Sequence, residues 1–194
     1  MRMSLSAEMG RMRRAVLTGI AVFGLAASLS SCSSGGSSSS SSASSQALLN
    51  QGIAASKAGN YKQAMNLFGE VIKKEPKNSK NLAALAFYNL GVIHQKIGPA
   101  STTVIDYKNA VRLDPAFLSA WYNLAIAETK NNPQAALAAY NKILALKAND
   151  TYSLFNSGLI MYAQGDTAGG AARINQAIKQ DASLAARVPA NVKL

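Results

Sequence analysis

The sequence predicts an all-α protein: a stack of about four short helix pairs, preceded by a targeting segment and a serine-rich linker. Three observations lead there. Alanine and leucine supply much of the apolar half of the composition and aromatics only 7%. That balance favours helix over sheet, because Ala and Leu lose little on entering a helix. From residue 46 onward, glycines, small residues and large apolar residues recur at a spacing of about 34 residues. The first 45 residues have a different composition and cannot form part of the same core.

Residues 1–14 are short and basic, and Ala15 to Ser28 is an apolar run without a charge. These are the n-region and h-region of an export signal. The run is shorter than the roughly 20 apolar residues a membrane span requires. Leu29-Ser30-Ser31-Cys32 then resembles a bacterial lipobox, with an aliphatic residue at −3, small residues at −2 and −1, and the chain's single cysteine at +1. That resemblance implies a diacylglyceryl group on the Cys32 thiol and cleavage before it, so that residues 1–31 are a signal peptide. An uncleaved signal anchor with an incidental cysteine is the alternative. Arg13-Arg14-Ala15-Val16-Leu17 resembles part of a twin-arginine signal, with Met12 in place of the usual Ser/Thr, and Met9 or Met12 would serve as well as Met1 for a start. Residues 32–45 are the lipidated cysteine and a Ser-rich segment that buries no apolar surface and acts as a flexible linker. Its reach is roughly 20 Å. The expected location is on the cell membrane or outer membrane, with the domain on the extracytoplasmic side.

The formal charge of +11 overstates the mature chain. Four arginines and one glutamate precede Cys32, and without them 16 basic and 8 acidic residues remain. A basic domain is drawn to anionic membranes or to nucleic acid. Lys73, Lys74, Lys77 and Lys80 cluster, but export argues against nucleic acid, and cations also suit a helix C-terminus.

The repeats fall at 45–78, 84–117, 118–150 and 151–184, with a tail at 185–194. The first supplies Leu48, Gly52, Gly59-Asn60-Tyr61, Ala64, Phe68 and Pro76. The second supplies Phe87, Leu90-Gly91, Gly98, Tyr107, Ala110 and Pro115. The third has Trp121, Leu124-Ala125, Ala136 and Tyr140, with one residue missing in its turn. The fourth has Leu154, Gly158, Gly165-Asp166, Gly170 and Ala177. Small residues let paired helices approach, a glycine between them makes a positive φ inexpensive, and proline stops the second helix. This pattern resembles the tetratricopeptide repeat, which implies a right-handed superhelix of helix-turn-helix units covering nearly everything after the linker. Four departures stand out. Residues 79–83 are inserted and expected to prolong a helix by about a turn. Thr103 replaces a preferred alanine, so the second pair should pack looser. Gly169-Gly170 weakens the last helix. Pro189 prevents a full capping helix, which would leave the C-terminal end of the stack open to fraying, a partner or a second copy.

The resemblance further implies that the first helix of each pair lines a concave groove. At its sixth position stand Asn50, Asn89, Asn123 and Asn156. At its fifth stand Leu49, Tyr88, Tyr122 and Phe155, and at its thirteenth Lys57, Lys96, Lys130 and Ala163. A carboxamide both donates and accepts, so such a row suits the backbone of an extended peptide. Aromatics beside it add contact area, and lysines favour acidic segments. The family's chaperone-binding carboxylate clamp needs Lys and Arg at positions five and six and is absent.

Catalysis finds little support. His94 occupies a position that normally holds a packing aromatic, and Asp106, Asp114, Asp150, Asp166 and Asp181 fall at turns, helix ends or exposed faces. One cysteine and one histidine make a His/Cys metal cluster close to impossible. The expected protein is a lipid-anchored adaptor for a protein or peptide partner, with no cofactor, metal or nucleic acid. The second expectation is a self-assembling envelope component pairing through its open end.

Overall fold

The computed structural model describes residues 43–78 and 81–194. Signal, lipobox and most of the linker, Cys32 included, lie outside the described residues. Those described form eight α-helices and one 3₁₀ helix, with no strand among them. The helices are α1 (Ser45–Lys57), α2 (Tyr61–Lys74), α3 (Leu82–Ile97), α4 (Ala100–Leu113), α5 (Leu118–Glu128), α6 (Pro133–Leu146), α7 (Thr151–Ala163) and α8 (Thr167–Gln180). Each odd-numbered helix packs on the one that follows, and each pair packs on the next.

Local sequence accounts for the helix ends. Ser44, Asn132, Asp150 and Asp166 accept a hydrogen bond from a backbone N–H in the first turn of α1, α6, α7 and α8, satisfying a donor the helix leaves unpaired. Ser44 and Ala43 thereby belong to the fold rather than to a free linker: Ala43 packs on the first core cluster, and the Lys74 ammonium donates to its carbonyl at 3.0 Å. Gly59 and Gly165 take the expected positive φ, +81° and +99°. Gly98 does not, at −109°, because Pro99 follows and pushes the preceding residue into the extended region.

The core runs as four linked clusters centred on Phe68, Tyr107, Tyr140 and Phe155, all fully buried. Within pairs, a glycine lets an aromatic ring lie against the facing helix: a Cβ at Gly52 would stand 2.6 Å from the Phe68 ring, and one at Gly91 2.6 Å from that of Tyr107.

Three of the expected weak points read differently in the structure. Only two of the inserted residues join a helix, since α3 starts at Leu82 and Asn81 before it is left-handed (φ 56°). Asn78, also left-handed and buried, closes this turn. Its amide donates to the Leu113 carbonyl at 3.1 Å and its oxygen accepts from Ala84 N–H at 3.0 Å, tying the first pair to the second. Thr103 is buried, and its hydroxyl turns back to the Pro99 carbonyl, a local bond that removes the cost of a buried hydroxyl.

The C-terminal end of the stack is closed. Ala182–Arg187 forms the 3₁₀ helix, Leu184 is 1% exposed, and Val188 and Val192 pack against the cluster that Leu184 shares with Phe155 and Leu159. The expectation of an open end failed because a short 3₁₀ turn and an extended tail cover apolar surface that a sequence search for a full capping helix does not recognise. Self-association through that end loses its basis.

Candidate interaction surface

The row of position-six asparagines divides into two halves. Asn123 Nδ2 donates to the Tyr88 hydroxyl at 3.4 Å and to that of Tyr107 at 3.3 Å, and Asn156 Nδ2 donates to the Tyr122 hydroxyl at 3.4 Å. In both, an asparagine bonds the position-five tyrosine of the preceding repeat, so the pairs latch neighbouring repeats together. Burial raises the phenol pKa of Tyr88 and Tyr122, and the asparagine bond pulls it partly back. Burial likewise raises Tyr107, with neighbouring Tyr88 adding to the shift. These hydroxyls stay protonated and keep the capacity to accept. Tyr88 also lies against Phe117, ring centroids 4.9 Å apart, and Tyr122 meets Tyr140 edge-on at 6.0 Å.

Asn50 and Asn89 make no such latch. Asn50 is exposed and its oxygen accepts from Gln46 one turn earlier, while Asn89 donates to the Leu85 carbonyl of its own helix at 2.7 Å. The cause is in the first repeat, where position five holds Leu49, which has no hydroxyl to offer Asn89. Both carboxamides stay within their own helix and do not tie repeats together. Beside them Ile53 and Val92 are half-buried.

Phe155 and Asn156 are corrected as ligand contacts. Phe155 is fully buried beneath the tail, with the Arg187 guanidinium 5.5 Å from its ring centroid, and Asn156 is 5% exposed. The Lys193 N–H donates to the Tyr162 hydroxyl at 3.0 Å, so this chain's own tail occupies the fourth repeat's share of the groove. Tyr88, Tyr122 and Asn123 are half-buried and joined into the inter-repeat latches. Lys57, Lys96 and Lys130 are exposed, and Lys96 stands 6.0 Å from the Tyr61 ring centroid. Sequence reasoning missed Asn78 and the tail. The first shows only as an Asn in a loop that must turn sharply, the second as the apolar spacing Leu184, Val188, Val192.

The latch carries a measurable consequence. Tyr122→Phe leaves the buried Asn156 amide without its acceptor, and the bond is long, so the loss should be about 1 kcal/mol, read as a lower urea midpoint. An Asn50→Ala chain, whose side chain is exposed, should unfold at the unaltered midpoint.

His94 and Asp106 form a second polar pair, Nδ1 to Oδ2 2.6 Å, across α3 and α4. Asp106 is 6% exposed rather than on an exposed face. Burial raises its carboxyl above the ordinary 3.8, and the His94 hydrogen bond and charge pull it partly back. A raised native pKa means the folded state holds a proton that the unfolded chain has lost. This contribution to stability is therefore full below about pH 4 and declines as pH rises through the native value. Asp106→Asn should flatten that decline, so the variant should gain on the wild type as pH rises across the acid range in urea titrations. Among the described residues, no group of three or more His, Cys, Asp or Glu could hold a metal ion.

Comparison with known proteins places this architecture. Two tetratricopeptide repeat family models match residues 46–78 and 106–151. Photosystem I assembly protein Ycf3 of Acaryochloris marina is 30% identical over 111 residues, covering 55% of this chain and 67% of that protein. This is a tetratricopeptide repeat protein. Its four pairs form the right-handed superhelix of that family. Human DnaJ homolog subfamily C member 7 is 34% identical over 80 residues, 41% of this chain but 16% of that protein, so the chain spans a small part of that relative. Among solved structures, YrrB, a tetratricopeptide protein with an unusual peptide-binding site, superposes with a TM-score of 0.65 at 18% identity, covering 74% of this chain and 72% of that one. At that identity the likeness is one of fold. Tetratricopeptide folds of this kind are protein-interaction scaffolds.

Proposed function

We propose that this chain is a membrane-anchored, extracytoplasmic tetratricopeptide scaffold that binds an extended segment of a partner protein over the concave face of its first three repeats. The observation that carries this reading is the division of the asparagine row. Asn123 and Asn156 are spent on holding repeats together, whereas Asn50 and Asn89 bond only within their own helices. Carboxamides left in this way can exchange a local bond for one to a peptide backbone at little cost. Half-buried Ile53 and Val92 beside them offer apolar contact. The tether of the reading is Cys32, joined to the domain by the serine-rich linker. No helix among the described residues is long and apolar enough to cross a membrane, so an anchored domain would depend on the segment before residue 43.

A photo-crosslinking residue at position 53 in intact cells should capture a partner, and Asn50→Leu with Asn89→Leu, which removes both carboxamides without adding charge, should abolish capture while the chain remains folded. Unchanged capture by that double variant would remove the groove from the reading. Cys32→Ser should move the chain from the membrane fraction to the soluble one and end incorporation of labelled fatty acid.

A further inference from the structure

The two edges of the stack differ in charge. Where each second helix leads into the next pair, carboxylates accompany the cations: Glu75, Asp114, Asp150 and Asp181 stand there, and Lys147 pairs with Asp150 at 3.1 Å. Where the first helix of a pair turns into the second, the first three repeats carry Lys57, Lys96 and Lys130, and none of their turns (58–60, 98–99, 129–132) holds an acid. The four odd-numbered helices together contain one carboxylate, Glu128, and it is 6% exposed and bonded to Lys108 at 2.8 Å. Lys57 and Lys96 lie in the last turn of α1 and α3, and Lys130 stands two residues past the end of α5, so the three occupy equivalent places in successive repeats and form a row along the stack, one cation per repeat, with exposed Lys62 beside it. Tyr61, under Lys96, helps line a shallow depression with Gly59, Asn60 and Lys62 on the same edge.

We propose that this edge selects the ligand: Lys57, Lys96 and Lys130 recognise an acidic stretch in the extended peptide that the groove holds. The inference rests on the peptide-binding reading above and adds the chemical class of its ligand. A row with one cation per repeat fits a linear chain with acidic residues at intervals, because each ammonium meets a different residue as the chain crosses the repeats. Asn50 and Asn89, about two turns before Lys57 and Lys96 on the same helices, can pair with a peptide backbone, which a lipid headgroup lacks. Cations without neighbouring carboxylates attract an anionic partner from a distance and reject a cationic one, so the contribution should weaken as salt screens it.

The test uses the full chain carrying Cys32→Ser, with a labelled alternating Glu–Ala peptide, its Gln–Ala counterpart and phosphatidylglycerol vesicles. The Glu–Ala peptide should bind and the Gln–Ala peptide should bind about tenfold more weakly or not at all. Replacing Lys57, Lys96 and Lys130 by Gln should weaken Glu–Ala binding about tenfold, the combined effect of three exposed ion pairs, and remove most of its salt dependence. All three lysines are exposed, so an unchanged thermal midpoint would verify that the variant is folded. Equal binding of both peptides, unaffected by the lysine variant, would overturn the acidic preference and leave the groove reading standing. Binding of neither peptide would overturn it as well, and capture at position 53 in cells would then decide separately whether the groove binds any partner. Lysine-dependent binding of vesicles without binding of either peptide would overturn it in favour of an anionic lipid surface.

Discussion

Phe155→Ala is expected to destabilise the protein by about 4 kcal/mol, the cost of removing a fully buried aromatic and leaving a cavity. Phe155 has no exposed surface, shares a cluster with Leu154, Leu159, Ile174 and Leu184, and lies beneath the Arg187 guanidinium. The tail over it is short and rests on this one ring and its neighbours, so its residues cannot re-form their contacts elsewhere. Two readouts follow. Urea unfolding should show the midpoint falling, and amide exchange should show protection lost first around Leu184 to Val192, before the helices open. If Phe155 were instead a displayed ligand contact, the variant would keep its stability and its tail protection and lose only partner capture. An Arg187→Gln chain gives a graded control: it removes only the cation over the ring, an effect on the order of 1 kcal/mol.

The fold was readable because its determinants are local and repeated. A glycine opposite an aromatic, as in Gly52–Phe68 and Gly91–Tyr107, needs only the repeat spacing to be recognised. The candidate surface was less readable, because the same residue type does different work in different repeats. Asn123 and Asn156 hold a tyrosine hydroxyl while Asn89 does not, and the difference lies in Leu49, about forty residues away in sequence and a helix away in space. A column of four asparagines carries no sign of that division. The tail shows a second limit. Its apolar residues Leu184, Val188 and Val192 keep a four-residue spacing, but Pro189 among them rules out a full helix, and one of its anchor points, the Phe155 ring, was read as groove. Asp106 shows a third: it is buried and its partner is His94 across the pair, a contact between two helices that neither helix shows alone.

Gly170→Ala should cost about 3 kcal/mol although it adds a better helix former to α8, because overpacking at a close helix crossing outweighs propensity. Low helix propensity makes Gly169-Gly170 a weak start to a helix, yet the two glycines stand in different surroundings. A Cβ at Gly170 would lie 2.7 Å from both the Gly158 carbonyl oxygen and the Tyr162 backbone nitrogen, and a Cβ at Gly158 would lie 2.8 Å from the Gly170 carbonyl oxygen. Backbone atoms cannot rotate aside, so the two helices must separate. At Gly169 the nearest atoms are the Asp166 carboxylate and the end of Met161, side chains that can move, and the propensity gain of about 1 kcal/mol there is offset by disturbance of the Asp166 cap. Gly169→Ala should therefore leave the urea midpoint nearly unchanged while Gly170→Ala lowers it clearly. The double variant Gly158→Ala with Gly170→Ala separates two accounts of that loss. If the helices move apart as rigid bodies, the first methyl opens the gap that the second needs, and the double variant should lose well under the sum of the single losses. Full additivity would mean that each methyl is absorbed by its own local distortion and that the crossing does not widen.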